Sequence, residues 1–119
     1  MVFLFSVNFP ERRMVKKALQ SFFGIGPNVS ARLLAKHHLH DTCRVGELAN
    51  TQILEINATL TEMKIENDLR RQVLGNIARL RDTGTFRGKR HAMGLPVRGQ
   101  RTKNQTITAW KLNKIDRKL

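Results

Sequence analysis

Between residues 87 and 103 the sequence carries a run of basic side chains and no acidic one. The basic residues are Arg87, Lys89, Arg90, Arg98, Arg101 and Lys103. Glycine and proline separate them, which lets the backbone pass close to phosphates, and each arginine offers a planar fork of donors that fits phosphate oxygens. A solvated charge run is the usual meaning of such a stretch, but it leaves the positive charge unbalanced. The run therefore favours binding to RNA phosphates.

A second candidate for phosphate binding is the turn Gly24-Ile25-Gly26, which precedes Pro27. Backbone N–H groups at a helix N-terminus attract phosphate. A plain turn between helices, with Ile25 in the core, explains the same residues equally well. A dinucleotide-binding fingerprint is disfavoured because Val29 stands where its third glycine belongs, and because the preceding residues favour a helix over a strand.

Metal-binding and catalytic patterns are weak. His37, His38, His40 and Cys43 lie close together in the sequence, and His40 with Cys43 could supply two zinc ligands. A structural zinc site needs four, and the one other candidate, His91, lies in the basic run. Cys43 lacks a nucleophile pattern, and Glu62 with Glu66 fits a solvated helical pair better than an acid and a base. The sequence predicts no metal, no cofactor and no enzymatic activity.

Charge is distributed unevenly along the 119 residues, whose net charge is +13. Residues 1–69 hold eight basic and seven acidic side chains, whereas residues 70–119 hold fourteen and two. The single cysteine excludes an internal disulfide and favours a reducing compartment. No apolar run approaches the roughly 20 residues that span a bilayer. We therefore expect a soluble protein with a polyanionic partner and no membrane partner.

Hydrophobic periodicity predicts helices in the first part of the chain. One helix presents an apolar face from Met14 to Phe23 and ends at Gly24, and a second begins at Pro27 and runs to about Leu39. Its predicted inward residues are Val29, Ala31, Leu33, Leu34 and Ala35. A short helical turn is expected at Val45 and Leu48. A third helix, capped by Asn50 or Thr51, presents Ile53, Ile56 and Leu60.

The clearest helix runs from about Asn67 to Thr83, with Leu69, Val73, Ile77 and Leu80 on one face and Gly84 at its end. No stretch predicts a sheet. Beyond Gly84 the glycines and Pro96 are expected to break any helix, and apolar residues are too few to offset the ordering entropy. The sequence thus predicts an all-α protein, with a helical globular domain over 1–83 and an extended basic RNA-binding tail over 84–119, mostly disordered in isolation.

Residues 82–103 read DTGTFRGKRHAMGLPVRGQRTK. This run resembles the long and specific signature of the family of the thirteenth small-subunit ribosomal protein, S-thirteen. Other matching residues are Val7-Asn8 with Pro10, Phe23-Gly24-Ile25-Gly26 and Asp68-Leu69-Arg70-Arg71. The resemblance covers nearly the whole chain.

The resemblance implies a small helical bundle of helix-two-turn-helix type with one long helix and an extended tail. It also implies a structural constituent of the small-subunit head that binds rRNA. Implied neighbours are head proteins including the nineteenth, a large-subunit bridge protein and P-site transfer RNA. The candidate RNA-binding residues come from the basic run and from the turn before Pro27. They are Arg87, Gly88, Lys89, Arg90, His91, Arg98, Gly99, Gln100, Arg101, Thr102, Lys103, Gly24 and Gly26. Gly94 and Pro96 would shape the chain path.

The last residues depart from the bacterial pattern, because residues 107–115 are more apolar and suggest a short helix. They resemble the mitochondrial branch, with a bacterial or plastid ribosome as the alternative. Trp110 could stack on a base or pack on a protein, and packing is favoured. Transfer RNA and protein both stay open as partners of Lys111, Lys114, Arg117 and Lys118. If the protein is imported, the basic amphipathic helix around residues 12–23 is one candidate signal; encoding in the organelle is the alternative.

Two other function classes compete with this interpretation. A DNA-binding helical module would use the helix from Pro27 to Leu39, but that helix has almost only Arg32 to contact base edges. A hairpin-type glycosylase would need a catalytic pair, and the sequence offers none. Because phosphate contacts do not read sequence, we expect recognition of folded rRNA by shape and charge.

Overall fold

Helices joined by short turns make up most of the protein, and a small hairpin precedes them. The computed structural model describes residues 2–113 and 115–118. Its elements are β1 (Val2–Leu4), β2 (Val7–Phe9), α1 (Val15–Gln20), α2 (Pro27–Lys36), a 3-10 helix (Val45–Glu47), α3 (Asn50–Glu62), α4 (Glu66–Asp82), α5 (Phe86–Met93) and α6 (Thr102–Leu112). The chain forms two compact units, unit 1 (Met1–Leu69) and unit 2 (Arg70–Leu119). The predicted helical class is confirmed; the helix-two-turn-helix arrangement stays a prediction.

The N-terminal hairpin corrects the prediction that the chain has no sheet. Strands β1 and β2 pair antiparallel, with Val2 opposite Phe9 and Leu4 opposite Val7. The turn residues Phe5 and Ser6 both have positive φ, 45° and 68°, as in the tight turns that match strand twist. Three-residue strands are too short to show a period of two, and Phe-Ser is not a turn signature, so the sequence pattern missed them.

The core of unit 1 lies where the hairpin, α1, α2 and α3 meet. Its buried hydrophobic residues are Leu4, Phe9, Val15, Ala18, Leu19, Phe22, Ile25, Leu33, Leu34, Val45, Leu48, Ile56, Leu60 and Ile65. The Phe22 ring packs edge-to-face on Phe5 and Phe9, with centroids 5.7 and 5.9 Å apart. Phe22 does so from a turn, because α1 ends at Gln20 rather than at Phe23. The predicted apolar faces of α1 and α3 thus build this core.

Two details of α2 and α3 differ from the predictions. On α2, Ala35 is exposed and Ser30 takes a buried position, where its hydroxyl donates to the Pro27 carbonyl at 2.9 Å and accepts from Gln20 Nε2 at 3.2 Å. Helix α3 begins one residue after Ala49, whose N–H donates to Gln52 Oε1 at 2.9 Å. A side chain three residues into the helix therefore caps it, in place of the predicted Asn50 or Thr51. Pro27 stands in the first turn of α2 as predicted.

Unit 2 is built with little apolar burial. Helix α4 matches the predicted long helix to within a residue at each end, and Gly84 follows it with a φ of 72°. Among the described residues of unit 2, Ile77 is the only buried hydrophobic side chain. Large exposed hydrophobic side chains in the same unit are Phe86, Met93, Ile107, Trp110 and Leu112. Packing alone therefore holds unit 2 less firmly than unit 1.

The prediction that the glycines and Pro96 break any helix just beyond Gly84 is wrong, because α5 lies there, whereas α6 overlaps the short helix suggested over residues 107–115. Thr85 caps α5 by accepting the Gly88 N–H at 3.2 Å, and Gly94 ends it with a φ of 72°. Glycine inside α5 is compatible with a helix because it permits close backbone packing, as described below. The chain divides into its compact units between residues 69 and 70, where the charge also divides. The predicted domains 1–83 and 84–119 stay a prediction. Disorder of residues 84–119 in the absence of RNA stays a prediction.

None of the helices among residues 2–113 and 115–118 combines the length and the apolar character needed to cross a bilayer.

Candidate nucleic-acid interface

Helix α5 carries the first half of the basic run and is fixed closely to the end of α4. A Cβ on Gly88 would overlap the backbone of Leu80 and Arg81, so only glycine allows this approach. The Thr85 hydroxyl donates to the Leu80 carbonyl at 2.8 Å while it accepts the Gly88 N–H. Gly88 is thus a packing residue of the site.

Among the basic side chains of α5, the solvent exposure differs. Arg87 and Lys89 are exposed, whereas Arg90 and His91 are half-buried. An exposed guanidinium and ammonium on a helix fixed at its start can meet phosphates with little reorganisation. Arg87 and Lys89 are therefore the α5 residues best placed for RNA.

Arg90 is partly used within the protein. Its guanidinium lies 5.8 Å from the centroid of the Phe86 ring, and its Nε donates to the Pro96 carbonyl at 2.9 Å. The Arg90 carbonyl also accepts the Leu95 N–H at 3.0 Å. The two terminal nitrogens of a guanidinium remain available as donors after such a bond. Arg90 can thus hold the following loop and still face a phosphate.

Residues 95–101 form the loop between α5 and α6, which we call the basic loop. Pro96 is buried and Val97 half-buried, while residues 98–103 are exposed. Gln100 Oε1 accepts the Arg98 N–H at 3.1 Å, and Gly99 between them has a φ of 73°. This closed turn places the exposed Arg98 and Arg101 on either side of Gly99. Arg98, Gly99, Gln100 and Arg101 thus share one turn, and RNA binding by these residues stays a prediction.

Helix α6 begins directly after the basic loop. Arg101 is its N-cap residue, and Thr102 and Lys103 form its first turn. All three are exposed. The sequence has no acidic residue between Asp82 and Asp116, so the positive charge of α5, the basic loop and α6 is unopposed by neighbours along the chain. This part of unit 2 suits a polyanionic ligand.

His91 lies against the end of the chain. Its Nδ1 is 3.2 Å from Nη1 of Arg117, and the same Nη1 donates to the Leu95 carbonyl at 3.2 Å. Burial lowers the pKa of His91 below its ordinary value of 6.5, and the positive charges of Arg117 and Arg87 lower it further. His91 is therefore neutral at neutral pH, and its Nδ1 can accept the Arg117 N–H.

The two turn glycines belong to unit 1 and the basic run to unit 2. Gly26 is the N-cap residue of α2, and Gly24 has a φ of 96°. The Phe23 N–H beside them donates to Glu66 Oε1 at 2.8 Å. A carboxylate bound next to the turn opposes an incoming phosphate, so the geometry favours the plain-turn interpretation. RNA binding by Gly24 and Gly26 stays a prediction with less support than that by the basic run.

Thr85 and Phe86 were not among the predicted RNA-binding residues, and Arg117 was expected only as a contact to transfer RNA or protein, yet all three build the site. Thr85 had a local signal, because threonine is one of the residues preferred at the N-cap of a helix. Phe86 and Arg117 had none, since their partners come from folding of the chain. Among the described residues, no group of three or more His, Cys, Asp or Glu side chains is arranged to hold a metal ion. Burial and Glu47 raise the pKa of the Cys43 thiol, which disfavours a reactive thiolate.

The sequence is similar to the sequences of known ribosomal proteins. The family model described as Ribosomal protein S13/S18 matches residues 3–108. A small ribosomal subunit protein uS13m from Neurospora crassa is 56% identical over 117 residues, which cover 98% of either chain. A small ribosomal subunit protein uS13m from Schizosaccharomyces pombe is 43% identical over 118 residues, which cover 99% of this chain and 78% of the relative.

Proposed function

The chain belongs to the ribosomal protein S13/S18 family, and from that premise we propose that it is a structural constituent of the small subunit of the mitochondrial ribosome. It is a non-enzymatic component of that particle and serves translation. Both fungal relatives compared above carry names that include the small ribosomal subunit and the mitochondrial suffix, and they match almost the whole chain. The expected location is the mitochondrial matrix.

Within the particle, unit 2 binds rRNA through the exposed cations of α5, the basic loop and the start of α6. The observation that carries this proposal is the imbalance within unit 2, which has fourteen basic side chains against two acidic ones. Only Ile77 among its described hydrophobic residues is buried, so its own packing does not offset the repulsion. Phosphates supply the missing negative charge and release counterions on binding.

Recognition in this proposal depends on the shape of the folded RNA. Arginine and lysine contacts to phosphate position a protein but do not distinguish bases. The turn at Gly99 fixes the spacing of Arg98 and Arg101, so unit 2 selects a backbone path with matching phosphate spacing. Arg87, Lys89 and Lys103 add further contacts.

The neighbours of this protein in the small-subunit head are also proposals. They comprise the nineteenth small-subunit protein, a bridge protein of the large subunit and P-site transfer RNA. The near-neutral unit 1, with its own core, suits contacts to proteins better than contacts to RNA. Unit 2 suits contacts to RNA.

Incorporation into ribosomal particles tests the proposed function. The tagged full chain is expressed in fungal mitochondria, and its sedimentation is followed with and without nuclease. We expect co-sedimentation with the small subunit and release by nuclease. Arg98→Ala with Arg101→Ala should lower incorporation in competition with the wild-type chain. The matched control Arg32→Ala with Lys36→Ala removes two exposed charges from α2 of unit 1, outside the candidate import helix, and should incorporate normally. Sedimentation apart from ribosomal particles would refute the proposal.

A further inference from the structure

Arg117 lies 22 residues after Leu95, the first residue of the basic loop, yet its side chain contacts it. Its Nη1 lies 3.2 Å from the Leu95 carbonyl oxygen and 3.2 Å from Nδ1 of His91. Arg117 is itself half-buried, unlike Arg98 and Arg101. One nitrogen thus joins the last turn of α5 to the first residue of the loop.

A second arginine binds the next carbonyl. Arg90 Nε donates to the Pro96 carbonyl at 2.9 Å, so the successive carbonyls of Leu95 and Pro96 each accept from an arginine. One arginine comes from α5 and the other from the end of the chain. Because both carbonyls are held, the direction in which the chain leaves Pro96 toward Arg98 is fixed.

We propose that Arg117 is a positioning residue, whose guanidinium holds the start of the basic loop so that Arg98 and Arg101 meet rRNA phosphates, and that Arg117 does not itself contact phosphate. This role rests on the proposed function of unit 2. It also divides the arginines of unit 2 into those that hold the loop, Arg117 together with Arg90, and those that present charge, Arg98 together with Arg101.

The pKa of His91 offers a second way to detect the contact between Arg117 and His91. The charged groups that act on His91 are Arg117 from the end of the chain and Arg87 from α5, and Arg98 from the basic loop lines the same cleft. From α6, the described side chains of Gln105, Thr108 and Asn113 lie around the same cleft and are neutral. A proton on Nδ1 of His91 would remove the acceptor and add a positive charge beside Arg117. The contact therefore requires neutral His91.

The sign of the pH effect follows from the lowered pKa of His91 in the folded protein. The unfolded chain binds the proton more readily, so the contribution of this contact is fully present above pH 6.5. It is lost as the pH falls below 6.5 and through the lower pKa of the folded state. We expect loop positioning to weaken in that acidic window.

The test measures binding of the full chain to a transcript of the mitochondrial small-subunit rRNA across a series of KCl concentrations. Arg117→Gln should weaken affinity by about tenfold at every salt concentration, because the loop must then be ordered on binding. The salt slope should stay unchanged, because Arg98 and Arg101 still reach the phosphates once the loop is ordered. Arg98→Ala should instead make the slope shallower by about 0.7 to 0.9. A slope change of that size in Arg117→Gln, or unchanged affinity, would overturn the positioning role.

Lys111→Gln is the matched control, because it removes the same charge from an exposed residue of α6. NMR titration of His91, assigned by loss of its signal in His91→Gln, should show a higher pKa in Arg117→Gln and no change in Lys111→Gln. An unchanged His91 pKa in Arg117→Gln would show that the contact does not form.

If Arg117→Gln loses helical ellipticity in circular dichroism and so does not fold normally, Arg117→Lys tests the positioning role instead. A lysine retains the charge for a phosphate but ends in an ammonium on a shorter side chain. Positioning predicts affinity well below wild type, whereas a phosphate contact predicts nearly full affinity. If the wild-type chain itself shows no salt-dependent binding, the proposed function fails and this role with it. If the wild type binds but Arg117→Gln makes the salt slope shallower and Arg117→Lys keeps nearly full affinity, the proposed function stands and the positioning role fails.

Discussion

The two units of this protein differ in what opposes their unfolding. Unit 1 is nearly neutral and buries fourteen hydrophobic side chains in one cluster. Unit 2 carries twelve net positive charges and, among its described residues, buries a single hydrophobic side chain, Ile77. Burial of apolar surface stabilises the first, at roughly 25 cal/mol per Å². The second depends on backbone hydrogen bonds, arginine contacts to carbonyls and an external polyanion.

This difference explains why binding residues collect in unit 2. A core keeps its residues inside, whereas a unit with little core leaves most of its side chains exposed to a ligand. Gly88, Arg90 and Arg117 supply order to unit 2 by close backbone packing and hydrogen bonds. In the proposed function, the same charge that limits the stability of unit 2 gives it affinity for RNA.

Removal of the residues after Thr83 should have the largest effect of the changes that distinguish unit 1 from unit 2. The truncated protein keeps the core of unit 1 and all of α4, but loses ten of the fourteen basic residues of unit 2. We expect it to keep cooperative thermal unfolding by far-UV circular dichroism. Its affinity for rRNA should fall by about a hundredfold or more at physiological salt. Binding as tight as that of the full chain would assign the RNA contacts to unit 1.

The same substitution, leucine to alanine, can be made in each unit to compare how much a side chain contributes to the free energy of unfolding. Leu34→Ala removes a fully buried side chain of unit 1 and should lower the free energy of unfolding by about 2 to 5 kcal/mol. Leu112→Ala removes a side chain that is 73% exposed in unit 2 and should change it by less than about 0.5 kcal/mol. Urea unfolding followed by circular dichroism measures both. Equal effects would contradict the assignment of the core to unit 1.

Two glycine substitutions separate close packing from helix propensity inside unit 2. Gly88→Ala forces a Cβ into the Leu80 backbone and should destabilise α5 by about 1 to 3 kcal/mol. Gly75→Ala adds a Cβ in open space on α4 and should stabilise that helix by about 0.5 to 1 kcal/mol. Hydrogen exchange of the helix amides reports each effect. Stabilisation by Gly88→Ala would show that α5 does not pack on α4 in solution.

The sequence predicted the regular helices well because their apolar spacing is local. Val15, Ala18 and Leu19 in α1 and Ile56 with Leu60 in α3 occupy the core as their period requires. Glycine misled the prediction in α5, because Gly88 was taken as a helix breaker when its role is to permit contact with Leu80. That role depends on where α4 lies, which no local pattern encodes.

The candidate site shows the same limit. Charge composition identified the basic run, and two of its exposed members, Arg98 and Arg101, lie in one loop that the sequence pattern did not predict. Composition could not separate arginines that present charge from arginines that hold the backbone. Arg90 and Arg117 belong to the second group because Pro96 and Leu95 carbonyls lie beside them in the folded chain. Only tertiary structure supplies that distinction.

The salt dependence of rRNA binding by the full chain is the most direct test of the claim that RNA neutralises unit 2. Five phosphate contacts, from Arg87, Lys89, Arg98, Arg101 and Lys103, predict a slope of log affinity against log salt of about −3.5 to −4.5. The slope should be unchanged in Arg12→Ala with Lys17→Ala and shallower by about 1.4 to 1.8 in Arg98→Ala with Arg101→Ala. A wild-type slope near zero, or a larger change in the unit 1 variant than in the unit 2 variant, would contradict it.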